Sequence, residues 1–482
     1  MQPELNLQLI EKEIEAWKYS PRRMMQIKGF LYYNDEHDII NRKRMAIGEN
    51  GELQEISNLP NNRIIDNQYA KVVNQKANYL FGKPFTLDGN NKQYIELLKE
   101  VFDRVFMKTL KSAGKAAYNG GIAWLYPYYS DKGRFVFRKF PAHEILPFWH
   151  DAEHTELECA VRLYPKIIYR GMSRTLIEKA EIYCEDGVHL FDVSGSRLIP
   201  EDDGIIPYIT TSDSEGNKIG FNWERIPLVP IKPNEEEIPL IKRVKTLQDG
   251  INVMLSDFEN NMQEDKRNTI LILKNYDGTN LGEFRHNLAV YGAVKVRCDS
   301  TSQGGVEPLE ITVNADNYKA IVEIFRKALI ENAMGVDAKD DRLSGTPNQM
   351  NIQSMYSDID TDASDMETEV QAAFDSIFWF INCHLENTGR GCFEGQEKDV
   401  DVVFNRDMLM NESDIINNCR NSQGIISDKT IIAMHPWVKD PQEEQERLTA
   451  QKKTEQSEMM EYSPFGLGDE NKGGTLDDND KP

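Results

Sequence analysis

Acidic residues give this chain its most chemistry-like spacing. Asp358, Asp360 and Asp362 alternate, and Glu369 stands twelfth counting from Asp358. That is the carboxylate spacing of a calcium-binding EF-hand loop. Two positions break it. Ala363 replaces the sixth-position glycine that the sharp turn needs, and Asp365 holds the eighth position in place of an apolar residue. An acidic face on a helix accounts for the same residues. A second cluster, Asp337, Asp340 and Asp341 beside Lys339 and Arg342, is of the kind that holds Mg²⁺ in a nuclease. A solvated charged loop between helices accounts for it more simply. These clusters support the one enzymatic alternative, a metal-dependent nuclease using Asp337–Asp341 or Asp358–Asp362. His143–Glu144, after Pro141, offers an acid/base pair, but it reads more simply as a strand ending in a turn. The aromatic and basic residues of Tyr126–Arg138 could stack on single-stranded nucleic acid. Their alternation (Tyr126, Tyr128, Phe135, Phe137) instead marks the buried face of a sheet. Gly82–Lys83 and Gly114–Lys115 lack the rest of a P-loop, and no GxSxG, HExxH or GxGxxG occurs. No cofactor is implied.

The elements that position these residues suggest an α+β chain. An N-terminal unit runs to about Pro233. A helix is expected from Asp66, as cap, to Phe81, with Gly82 and Pro84 ending it. Another is expected from about Gln93 to Tyr118, closed by Gly120–Gly121. Strands follow at Ile122–Tyr129 and Arg134–Phe140, turning at Asp131–Gly133, and at Glu178–Cys184 and Val188–Val193, turning at Asp186–Gly187. Pro239–Met262 reads as one amphipathic helix roughly 35 Å long. A small β-rich piece, Asn268–Val313, has strands Thr269–Leu273 and Ala293–Arg297 around a helix Leu281–Val290. Helix Asp316–Met334, a polar loop Gly335–Asn351 and a third long helix to about Glu386 come next. Strand Asp399–Phe404 precedes two short helices. Ser427 caps the first, which Pro436 stops. Asp440 caps the second, with Pro441 at its first position and Glu443 at its third. From about Lys452 the chain is polar and acidic and reads as a mobile tail.

Composition bounds the class. The chain has 482 residues, 40% apolar and 9% aromatic, and a formal charge of −23, so it holds several cores. That charge argues against a protein that wraps nucleic acid on a basic face. No apolar run is long enough to cross a membrane, and the amphipathic, acidic N-terminus is not a signal peptide. Cys159, Cys184, Cys298, Cys383, Cys392 and Cys419 form no CxxC pair and read as reduced thiols in a cytosolic setting.

Five stretches, in order and spanning nearly the whole chain, resemble the siphophage-type portal protein family. They are YYNDEHDIINRKR (32–44), NRIIDNQYAKVVNQKANYLFGKPF (62–85), and IPLVPIKPNEEE leading into the helix with Asp249, Asn252, Ser256 and Asn260. The fourth is NIQSMYSDIDTDA (351–363), and the last is GIISDKTIIAMHPWVKDPQEEQERL (424–448) with DVDVVFNRDM before it. Two positions depart from the pattern: Ile352 where small residues are common, and Pro239 where Ser is.

The resemblance implies a portal fold: an α/β wing (1–235), a stem of two helices (236–266 and 315–334), and a small β-containing clip (267–314). It further implies a tunnel loop (335–351), a long helix returning through the wing (352–410), helical crown elements (411–452) and an acidic mobile tail (453–482). It implies no enzyme but a dodecameric ring at one capsid vertex, assembled in the bacterial host cytoplasm, through which double-stranded DNA is packaged and ejected. The implied partners are further copies of the chain, the terminase large subunit, a head–tail connector protein, and the major capsid and scaffolding proteins, without a membrane. Candidate DNA-facing residues are Lys339, Asp340, Asp341, Arg342, Asn348 and Gln349 in the loop and Lys319, Arg326 and Lys327 on the second stem helix. Phe258 and Phe325 are candidates for ring packing.

Overall fold

The computed structural model divides the chain into two units, Met1–Ala338 with Met355–Met408, and Lys339–Ser354 with Leu409–Pro482. It describes residues 6–47, 51–55, 59–170, 172–212, 215–265, 270–274, 286, 305–309, 315–337, 349–406, 412–438 and 441–461.

Side-chain caps set the helix boundaries in the first unit. Asn6 caps α1 (Leu7–Lys18), and Ser20 with Pro21 opens α2 (Pro21–Tyr33). Helix α3 (Gln68–Phe81) starts later than the sequence suggests. Its cap is Asn67, whose side chain accepts the Ala70 N–H at 2.8 Å. Asp66 is instead tied to Arg326 at 2.8 Å. The single helix expected over 93–118 is two, α4 (Lys92–Val101) and α5 (Arg104–Gly120). Asp103 accepts the Val105 and Phe106 N–H groups, both at 2.8 Å, and this local bonding ends one helix and starts the next. Gly121 (φ +76°) closes α5, where a Cβ would lie 2.0 Å from the Glu237 carbonyl oxygen.

Two antiparallel sheets follow. The hairpin Ala123–Tyr129 and Phe135–Pro141 gains a third strand, Val229–Ile231, beside its first. Strands Ile145–Trp149, Leu157–Arg170, Ser173–Cys184, Gly187–Ser194 and Arg197–Ile206 form a five-stranded meander. Helix α1 lays Ile10, Ile14 and Trp17 on that meander, against Val161, Ile182 and Phe191. The main core joins α3, α5, the three-stranded sheet and a later helix through an aromatic cluster, with Phe85 5.3 Å from Phe102 and 5.2 Å from Phe374.

Helices α6 (Ile241–Asp265) and α7 (Ala315–Asn332) flank the insert. Its described part is one antiparallel pair, Ile270–Lys274 with Gly305–Leu309. The expected strand at 293–297 lies outside the described residues, as does the expected helix at 281–290 apart from residue 286. Helix α8 (Gln349–Asn387) returns, and strand Val400–Val403 pairs with Thr86–Gly89.

In the second unit, α9 (Glu412–Asn421), α10 (Asp428–Met434) and α11 (Pro441–Glu461) pack consecutively. Ser427 caps α10 as expected. Helix α11 continues past Lys452, where a tail was expected, because Gln, Lys, Glu and Met are good helix formers. Among the described residues, no helix is long and apolar enough to cross a membrane.

Candidate functional site

Helices α6 and α7 cover the residues expected to form a stem, and they run antiparallel. Asn261 Nδ2 donates to Tyr318 OH at 2.9 Å, and Phe258 meets Tyr318 with ring centroids 5.2 Å apart. Further along, Phe325 lies on Gly250, where an added Cβ would sit 2.7 Å from the ring. Glycine costs helix stability in a helix interior, but here it makes room for an aromatic ring. Phe258 and Phe325 therefore both have partners within the chain.

The other side of α6 carries a polar stripe spaced by four: Gln248, Asn252, Ser256 and Asn260, all buried. Each grips the extended segment before α3. Asn260 accepts the Asn62 N–H at 2.7 Å, Ser256 that of Ile64 at 2.9 Å, Asn252 that of Asp66 at 3.1 Å, and Gln248 that of Tyr69 at 2.9 Å. Gln248 also donates to the Asp66 carbonyl at 2.8 Å. The spacing has a simple origin. Four helical residues rise about 6 Å, and two extended residues about 6.6 Å. The alternate N–H groups of Asn62, Ile64 and Asp66 thus meet successive turns, and the helix stands in for a neighbouring strand, while Gln248 carries the stripe on to the first turn of α3. The family-like stretches at 62–85 and 249–260 are the two halves of this one device.

Asp249, beside the stripe, accepts Tyr32 OH at 2.5 Å and the Lys245 ammonium at 2.6 Å. Asp38 faces Lys245 at 2.8 Å and Lys28 on its other side, and these ammonium groups hold its pKa down at about 2 against the opposing effect of burial. His37 is buried as a neutral ring. Its Nε2 contacts the Tyr32 carbonyl at 3.0 Å, and its Nδ1 contacts the Asn252 amide at 2.8 Å. These partners fix the proton on Nε2, and burial lowers its pKa.

The alternating carboxylates Asp358, Asp360 and Asp362 lie on a helix, as the simpler reading expects, and the helix disperses them. Asp360 accepts Tyr79 OH at 2.8 Å and is paired with Arg406, which also binds Glu367 at 2.6 Å. Asp362 points elsewhere, to the fully buried Lys76 ammonium at 2.6 Å and Tyr118 OH at 2.8 Å. Burial lowers the Lys76 pKa, and Asp362 opposes that shift. Among the described residues, the grouping able to hold a metal is Cys184, Asp186 and His189 at a hairpin turn, which includes none of the predicted carboxylates. His143–Glu144 ends a strand in a single 3-10 turn, as expected. Burial, Arg23 and Lys139 push the His143 pKa down to about 4, and Glu144 is bound to Arg162 at 3.0 Å. His150 and His154 are four residues apart, but both lie in the connection after Trp149 and not on a helix.

Of the candidate DNA-facing residues, Lys319 and Lys327 are exposed on α7. Arg326, beside them, has its guanidinium bound to Asp66. Gln349 opens α8. Lys339, Asp340, Asp341, Arg342 and Asn348 lie outside the described residues. The flanks of their segment are both fastened to α3. Gln75 bonds both backbone groups of Val336, at 2.8 and 3.1 Å. Tyr79 and Lys76 hold α8 through Asp360 and Asp362. Gln75, Lys76 and Tyr79 were not singled out from the sequence. Their helical spacing shows only that they share a side of α3, and what that side faces is a tertiary matter.

Residues 14–458 match the family described as "Phage portal protein, SPP1 Gp6-like". A portal protein of Bacillus phage SPP1 is 30% identical over 481 residues, covering 98% of this chain and 88% of that protein. A portal protein of Clostridium phage phiCD119 is 26% identical over 482 residues, covering 96% of this chain and all of that one. Among solved structures, a chain in the virion of a native gene transfer agent particle is 10% identical with a TM-score of 0.38, covering 75% of this chain and 86% of that chain. The paired helices, the buried stripe and a match running through nearly the whole length lead to one conclusion: the chain belongs to the SPP1 Gp6-like phage portal protein family, whose members are structural components of the phage particle and not enzymes.

Proposed function

We propose that this chain assembles as a dodecameric ring at one capsid vertex of the virion, through which double-stranded DNA is packaged and later ejected. The observation that carries this reading is the near-full-length match to phage portal proteins. In this reading the first 235 residues form the wing, α6 and α7 the stem, and the insert between them the clip. The clip meets the terminase large subunit during packaging and the head–tail connector afterwards. Residues 335–351 form the tunnel loop, and the helices from 411 onward form the crown. The capsid and scaffolding proteins surround the ring as it is built in the host cytoplasm.

A ring that conducts DNA must surround it without holding it. Duplex DNA carries about one charge per 1.7 Å of axis, and a basic channel would trap it through counterion release. A ring of subunits charged −23 each repels phosphate and permits sliding. Lys319 and Lys327, exposed on α7 among Asp316, Glu323 and Glu331, supply passing contacts. Lys339 and Arg342 do the same from the loop. Negative-stain microscopy of the purified chain tests the reading directly. Rings with a central hole are expected. A particle that stays monodisperse and hole-free at every concentration rules it out.

The nuclease alternative has no support. Asp360 and Asp362 are committed to separate partners, and the family is structural.

A further inference from the structure

One cleft of the first unit runs against the charge of the whole molecule. It lies between α2, α5 and strand Phe135–Pro141 and has a volume near 570 Å³. Lys108, Lys111 and Lys115 line it from one stripe of α5, and Lys139 joins them from the strand. The chain carries 79 acidic and 56 basic residues, yet no Asp or Glu is among the described residues lining this cleft. Like charges at helical spacing repel one another. Among the described residues, no carboxylate pairs with them within the cleft. Lys115 reaches only the Tyr33 hydroxyl, at 3.4 Å, and Lys139 only the Ser112 hydroxyl, at 3.1 Å. Both are neutral. Glu144, the carboxylate that acts on Lys139, is itself bound to Arg162.

A second observation comes from α2. Gln26 lines the same cleft, is only 5% exposed, and its Oε1 has no hydrogen-bond partner among the described residues. A buried polar atom without a partner is costly and calls for an explanation. An amide can present either its oxygen or its nitrogen after a flip, so Gln26 suits a group with both donor and acceptor character. Phe30, 45% exposed, forms an apolar wall.

We propose that this cleft binds a small phosphorylated molecule, its phosphate held by Lys111, Lys115 and Lys139, a hydroxyl or phosphate oxygen by Gln26, and its apolar part against Phe30. The volume falls in the range of small-molecule sites. Duplex DNA could only cross the mouth of such a cleft, and it would leave Gln26 without a partner. The inference does not depend on ring assembly.

Titration calorimetry of the full-length protein with inorganic phosphate, and then with AMP, tests it. Saturable binding is expected with a dissociation constant below about 1 mM, tighter for AMP. The pair Lys111→Gln with Lys115→Gln should weaken it at least tenfold, and Gln26→Leu severalfold. Thermal melting of the lysine variant should match the parent, because neither side chain is buried. Absence of saturable binding overturns the proposal. So does binding that the lysine pair leaves unchanged, which marks an adventitious ion only. Displacement of AMP by short duplex DNA, with the same lysine dependence, would make these lysines a DNA-backbone contact and would also overturn it.

Discussion

Lys76 joins α3 to α8 through a buried ion pair. Its side chain is wholly buried, and its charge is matched by Asp362 at 2.6 Å, with Tyr118 completing the carboxylate's bonds. Removing one member of a buried pair leaves an uncompensated charge, typically at about 3–5 kcal/mol. Lys76→Met alone should therefore lower unfolding free energy by about that amount. Adding Asp362→Asn should restore most of it, because an amide still accepts the Tyr118 hydroxyl. Urea denaturation of the two variants and the parent measures this. A double variant no more stable than the single one would show that the two residues do not act as a unit.

At the level of elements, α6 is read from both sides. One side presents polar acceptors to an extended segment, and the other presents Gly250 to Phe325 on α7. Ordinary propensity says that Gly250→Ala should stabilise a helix interior by up to about 1 kcal/mol. The structure reverses the sign. The new methyl meets the Phe325 ring at 2.7 Å, and overpacking of this kind costs about 1–3 kcal/mol. Gly250→Ala should lower the melting temperature, and Phe325→Leu in the same chain should recover part of the loss. A raised melting temperature for the single variant would show that the two helices separate freely at this point. The same packing changes what a charged residue at Phe325 or Phe258 would report. Loss of assembly in such a variant would follow from damage within the subunit before any contact between subunits.

At the level of the whole molecule, charge is the property that function constrains. If the exposed face of α7 lines the duct, its acids keep DNA from adhering. Glu323→Lys with Glu331→Lys should then leave rings intact and make them retain duplex DNA at low salt. Retention should fall steeply as salt rises, because phosphate contacts release counterions. Filter binding across a salt series measures this. Retention no different from the parent would place that face away from the lumen.

Much of this was legible in the residues. The helical periods of α3, α6, α7 and α8, the turns at Asp131–Gly133 and Asp186–Gly187, and the Ser427 cap all depend on near neighbours in the chain. Local chemistry therefore specifies them. The family was legible as well, because its stretches keep their order from 32 to 448. Errors arose where a side chain had a choice of partner. Asp66 looked like a cap and is bound to Arg326, 260 residues away. Asp103 passed for a helix interior and is a cap. The buried stripe of Gln248, Asn252, Ser256 and Asn260 could be seen as a spacing, but its meaning required the strand beside it. Sequence alone determined most of the elements and the family, since both are written in local order. Only the tertiary structure decided which polar group bonds which, because a hydrogen bond is chosen by proximity in space and a buried one cannot be left unmade.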